Sequence, residues 1–174
     1  TLEMPKSIGR HVYFSTSAMR CSSQFLGGFK QSRLIRQLGG ITVAGKDYIL
    51  ANGVHIPCIG YGTWQMPNGK ETTNIILEAL EAGYRHIDTA AAYGNEESVG
   101  QAIRQSGIPR KEVFLTSKLA NPDHGYQATR TAFQRTLECL DTDYLDLYLI
   151  HWPNPISSRQ NWQEANAGSW KAME

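Results

Sequence analysis

The sequence predicts an α/β fold of parallel strands joined by helical crossovers and preceded by a β-hairpin. Three observations carry this. Apolar runs of strand length alternate with amphipathic stretches of helix length from Asp47 to the end of the 174-residue chain. Glycines stand where two of the helical stretches stop, at Gly83 and Gly107. Asn52-Gly53 separates two apolar stretches, the strongest short hairpin signal. Regular strand–helix alternation argues for parallel strands with right-handed crossovers.

The elements follow in order. "DYILANGVHIPCIG" is the hairpin, and "CIGYGTW" a short strand ending at Trp64. "ETTNIILEALEAG" puts Ile75, Ile76, Ala79 and Leu80 on one helical face and stops at Gly83, a natural C-terminal cap. "YRHID" is a strand, "EESVGQAIRQSG" a helix with a second glycine stop, and "EVFLTSKL" a strand. "YQATRTAFQRTLECL" is an amphipathic helix with Ala128, Phe133, Leu137 and Leu140 mostly on one side. "YLDLYLIHW" is a strand, and "NWQEANAGSWKAME" starts a further helix. No repeat beyond this alternation is present.

Charge divides the chain. Residues 1–46 carry seven Lys/Arg and one acid, giving +6, while 47–174 carry ten Lys/Arg and fifteen Asp/Glu, giving −5. The basic, Ser-rich, acid-poor segment 1–46 resembles an organelle transit peptide. The preferred reading is a disordered or non-native extension. Its aromatics do not interleave with basic residues, so nucleic acid is not expected as a partner. No apolar run reaches the roughly 20 residues of a membrane helix, so no membrane partner is expected either. Cys21, Cys58 and Cys139 are widely spaced, which fits neither a disulfide framework nor zinc and favours a cytoplasmic setting.

The chemistry gathers at strand ends. Asp88, Lys118 and His151 fall at the C-terminal ends of three successive strands, and Tyr93 lies on the loop after the first of them. In an α/β barrel those ends face the active site. An open doubly wound sheet also binds ligands at strand ends. Any one such residue is ordinarily a salt bridge or loop anchor; three in register argue for a site. A dinucleotide fingerprint starting at Gly60-x-Gly62 fails, because position 65 is Gln and Asp88 lies too far on. Cys, His and carboxylates are not clustered at ligand spacing, so no metal is expected. Asp141, Asp143 and Asp146 read as strand flanks and turns.

"GYRHIDTAAAYGNEESVG" resembles the aldo-keto reductase signature, and "LANGVHIPCIGYGTW", "LTSKL" and "LYLIHWP" resemble that family's floor hairpin and its first, third and fourth strand ends. The likeness covers Tyr48 to Glu174. The spacings, 30 residues from Asp88 to Lys118 and 33 from Lys118 to His151, are similar to those of the bacterial diketogluconate-reductase-like branch. The resemblance implies a (β/α)8 TIM barrel, here an N-terminal hairpin plus about four βα units over residues 47–174.

It also implies NADPH as cofactor and a small-molecule carbonyl as substrate. The family's catalytic tetrad falls on Asp88, Tyr93, Lys118 and His151. Tyr93 is then the proton donor. A free tyrosine holds its proton to a pH near ~10, and a neighbouring ammonium favours the phenolate. Asp88 holds Lys118 in place, and His151 orients the carbonyl by a hydrogen bond. Gly62 and Thr63 are expected to approach the cofactor by backbone with Asp88 beside them, and Trp64 to form an apolar wall for substrate together with His151. Arg85 and His86 read as structural, pairing outward with a neighbouring helix or loop, and Glu96 as an anchor in the first turn of its helix.

A complete barrel of this type typically takes about 250 residues. The expectation is therefore a piece of an enzyme whose remaining cofactor contacts lie in later strands, with an isolated chain that binds NADPH weakly. The alternative is a catalytically inactive half barrel whose exposed edges support self-association or partner binding.

Overall fold

The chain's structure, a computed structural model, describes residues 47–174. The expected leader, 1–46, lies outside the described residues. Strands β1 (Asp47–Ile49) and β2 (His55–Pro57) pair antiparallel, with Tyr48 opposite Ile56. Their turn is closed by Leu50 N–H donating to Val54 O at 2.8 Å, and the Asn52 side chain accepts from Val54 N–H at 3.1 Å. That side chain bonding two residues onward is why Asn precedes Gly here.

Four parallel strands follow: β3 (Tyr61–Gly62), β4 (His86–Asp88), β5 (Phe114–Leu119) and β6 (Leu147–Ile150), adjacent in chain order. The helices between and after them are α1 (Lys70–Glu81), α2 (Glu96–Gln105), α3 (Tyr126–Leu140) and α4 (Trp162–Met173). The register aligns Gly62 with Asp88, Asp88 with Thr116, and Lys118 with Leu149. Side chains alternate between sheet faces. Ile87, Leu115, Leu119 and Tyr148 therefore face the helices, where they are buried with Ile76, Leu80, Val99, Phe133 and Leu137. His86, Asp88, Thr116 and Lys118 line the other, inner face.

The helix stops are local. Gly83, at φ 101, donates to Leu80 O while Tyr84 N–H donates to Ala79 O, so two otherwise orphaned carbonyls of α1 are satisfied. Arg85 adds a guanidinium contact to Leu80 O at 3.0 Å, the outward helix contact expected of it. The strands are shorter than the sequence suggests because their flanks serve turns. Asp146, just before β6, accepts from Leu115 N–H and pairs with Arg110, both at 2.9 Å.

Two expectations are corrected. Ala128 is exposed; the buried stripe of α3 is Thr129, Ala132, Phe133, Thr136, Leu137 and Leu140, and residue 128 lies off that 3.6-residue period. His86 does not point outward. It shares the inner face with Asp88, its Nε2 meets Thr116 Oγ1 at 2.9 Å, and its ring packs edge-on against Phe114.

Candidate active site

Each strand end delivers one side chain. Asp88 closes β4, Lys118 lies near the end of β5, and His151 follows β6, its N–H bonded to Leu119 O at 3.3 Å. Tyr93 ends a 3-10 turn, Ala91–Tyr93, held by Tyr93 N–H donating to Ala90 O. Ala90 is wholly buried, which anchors the base of that turn.

The four converge. Lys118 Nζ lies 2.6 Å from Asp88 Oδ1, 2.9 Å from Thr89 O and 3.4 Å from Tyr93 Oη. It also sits 5.0 Å from the Tyr93 ring centroid. Only 13% of the Lys118 side chain is exposed, and Asp88 is the carboxylate paired with it. The Tyr93 and His151 rings meet edge-to-face at 5.6 Å between centroids. Burial first, then the Lys118 charge, lowers the His151 pKa below its ordinary value, with Asp88 opposing. The imidazole is thus neutral at neutral pH and keeps one N–H to donate.

Gly62 is exposed at the end of β3, and a Cβ there would meet nothing within 4 Å. Trp64, 65% exposed, stands on the loop just beyond. Thr63 is placed differently from Gly62: it is wholly buried, and its N–H donates to Asp88 O at 3.0 Å. It supports the rim from behind and leaves Gly62 as the open backbone. Glu96 anchors the start of α2, but through tertiary contacts: it accepts from Ser117 Oγ at 2.6 Å and Thr136 Oγ1 at 3.4 Å. Burial raises its carboxyl above the usual range.

Two features of the rim escaped the sequence reading. Trp152, half exposed beside His151, was legible as an aromatic next to a strand end. Asn95 carried no signal beyond a helix-start position. A cavity of about 480 Å³ opens at the opposite end of the strands, between the hairpin and the sheet, lined by Asp47, His55, Arg85 and Phe114 among others. None of the four converging residues lines it.

The chain belongs to the aldo-keto reductase family. The Aldo/keto reductase family profile matches residues 58–174. A glyoxal reductase of Bacillus subtilis (strain 168) is 50% identical over 119 residues, 68% of this chain and 43% of that protein. The crystal structure of an aldo/keto reductase from Brucella melitensis superposes with TM-score 0.66 at 52% identity, covering 72% of this chain and 46% of that one. The Bombyx mori aldo-keto reductase, solved in complex with NADP, gives TM-score 0.63 at 35% identity, covering 73% and 45%. The fold is thus part of the TIM barrel of these enzymes, and NADPH is the family's cofactor. The chain spans less than half the length of each of these relatives.

Proposed function

We propose that residues 47–174 carry the proton-transfer side of an NADPH-dependent reduction of an aldehyde or ketone to an alcohol. The observation that carries this reading is the Asp88–Lys118–Tyr93 chain, with contacts of 2.6 and 3.4 Å. NADPH, when bound, supplies the hydride. The exposed Gly62 backbone and the partly open Asp88 fit a cofactor at this rim, with Thr63 beneath them.

Tyr93 gives its phenolic proton to the carbonyl oxygen. The Lys118 ammonium beside the phenol stabilises the phenolate left behind. Asp88 pairs with that ammonium at 2.6 Å and fixes its position. The neutral His151 ring donates an N–H to the same oxygen, orienting it and stabilising the charge that develops there. Trp64 closes the substrate side as an apolar wall, and the substrate is a small-molecule carbonyl.

Tyr93→Phe tests this in any protein containing these residues. It keeps the ring against His151 and removes the proton. Carbonyl reduction should fall by roughly 10²–10⁴-fold, the usual worth of general acid catalysis. Affinity for NADPH should stay within about threefold, since the phenol hydroxyl is not assigned to cofactor binding. Near-normal turnover by the variant would sink the assignment.

One observation favours a second reading, association of two such arcs. Among the described residues β3 and β6 are the edges of the four-stranded sheet, and sheet edges invite pairing. Sedimentation of the 174-residue chain decides it: a concentration-independent monomer removes this reading.

A further inference from the structure

We infer that Asn95 is a positioning residue that holds the Trp64 wall in place against the Tyr93 turn. The role rests on the reading that Trp64 and Tyr93 serve one site.

Asn95 lies two residues beyond Tyr93 and is wholly buried. Its Oδ1 accepts from Thr89 Oγ1 at 3.1 Å and Thr63 Oγ1 at 3.3 Å. Its Nδ2 donates to Thr63 O at 2.8 Å and Met66 O at 2.9 Å. A side-chain amide has two donors and an accepting oxygen, and all three are engaged here. Asn before a helix ordinarily caps it. Here the side chain makes no cap bond to α2. It is committed instead to a segment 29–32 residues earlier.

That segment is a strained turn. Met66 N–H donates to Thr63 O at 3.2 Å, enclosing Trp64 and Gln65. Gln65 has φ 65, the left-handed region. The third residue of such a turn favours Gly or Asn, and a Gln there persists only where its surroundings over-determine it. The two carbonyls held by Asn95 bracket that residue. Trp64, largely exposed, has little burial of its own to fix it. The indole is therefore placed by the turn, and the turn by Asn95.

The test uses the 174-residue chain labelled with 5-fluorotryptophan, with the Trp64 resonance assigned by Trp64→Phe, alongside amide exchange read by mass spectrometry. In Asn95→Ala, amides of residues 63–66 should exchange about tenfold faster, the scale of buried hydrogen bonds lost locally. The Trp64 fluorine resonance should move, while those of Trp162 and Trp170 and the exchange of β5 and α3 stay unchanged. Gln65→Gly in the Asn95→Ala background should bring exchange back toward the parent, because the strain that Asn95 opposes is gone. Should Asn95→Ala fail to fold, Thr89→Val removes one hydroxyl partner and should loosen the same amides less. Loosening spread evenly over β5 and α3, an unmoved Trp64 resonance, or no recovery with Gln65→Gly would each overturn the inference. No readout involves turnover, so a failure here is distinct from a failure of the Tyr93→Phe test.

Discussion

The two loop clusters flanking the site are built in opposite ways. On the β3–β4 side, Thr63, Thr89 and Asn95 are all wholly buried and bonded to one another. On the β5–β6 side, Asn121 Oδ1, both ring nitrogens of His124, Ser158 Oγ and Asn166 Oδ1 are buried with no hydrogen-bond partner. Apart from the Tyr148 hydroxyl, these are all such side-chain atoms among the described residues. A buried polar group without a partner costs free energy unless water meets it. The Tyr93 side is thus the more fully hydrogen-bonded of the two, and the side carrying His151 and Trp152 the less. That fits the role proposed for Tyr93, because a proton donor needs fixed geometry.

The more fully bonded side should break hardest at Gly100. This residue of α2 lies against the end of α3, where an added Cβ would overlap the backbone of Leu140. Backbone cannot swing aside as a flexible side chain can. Gly100→Ala should therefore lower stability by about 1–3 kcal/mol or more, the cost of overpacking, seen as a lower urea midpoint. It should also loosen the Tyr93 turn, because α2 starts three residues beyond it. A midpoint equal to that of the parent would show that the two helices separate freely.

What could be read from sequence follows the range of the interaction. The hairpin, the stop at Gly83 and the alternation of strands and helices depend on neighbours within six residues, and they were legible. The strand ends that deliver Asp88, Lys118 and His151 were legible because alternation fixes which residue comes last. The side a strand residue faces needs the sheet, so His86 was read outward although it lies inward. Asn95 was silent for the same reason: its partners Thr63 and Met66 are about thirty residues earlier. The left-handed Gln65 has no compositional mark, since a glutamine in that state is there because of its tertiary partners.

Glu96 gives a sharper, smaller probe of the more fully bonded side. Glu96→Gln keeps an oxygen for Ser117 and offers an amide to Thr136, and removes only the charge. Burial raises the Glu96 pKa from its ordinary 4.5, so the folded state resists ionising this group. The folded state then holds its proton to higher pH than the unfolded chain does. Its contribution to stability therefore falls as pH rises from about 4.5 through the folded value. The advantage of the Gln variant should grow over that window, reaching on the order of 1 kcal/mol at pH 8, an ordinary size for one substitution. Urea midpoints from pH 4.5 to 8 test this; a difference constant with pH would mean that the carboxylate is not penalised by its burial.

The less bonded side should yield the smallest effect, through His124. It lies beside the Asn166 amide, which favours its charged form, yet burial wins and lowers its pKa. His86 and His151 are lowered by burial as well. For each, the unfolded chain binds the proton first. Stability is therefore undiminished above about 6.5 and is lost as pH falls below it toward the folded values. His124→Gln removes one of the three contributions and leaves the other two. At pH 7.5 the variant should match the parent within about 0.5 kcal/mol, because the Gln amide can keep the polar contact beside Asn166. Between pH 6.5 and 5 it should lose less stability than the parent, and amides of 121–125 should become less acid-sensitive. Equal acid slopes would place the sensitivity in His86 and His151, both of which face Asp88 and Lys118, and would make the site itself, not its less bonded rim, the part of the molecule that fails first in acid.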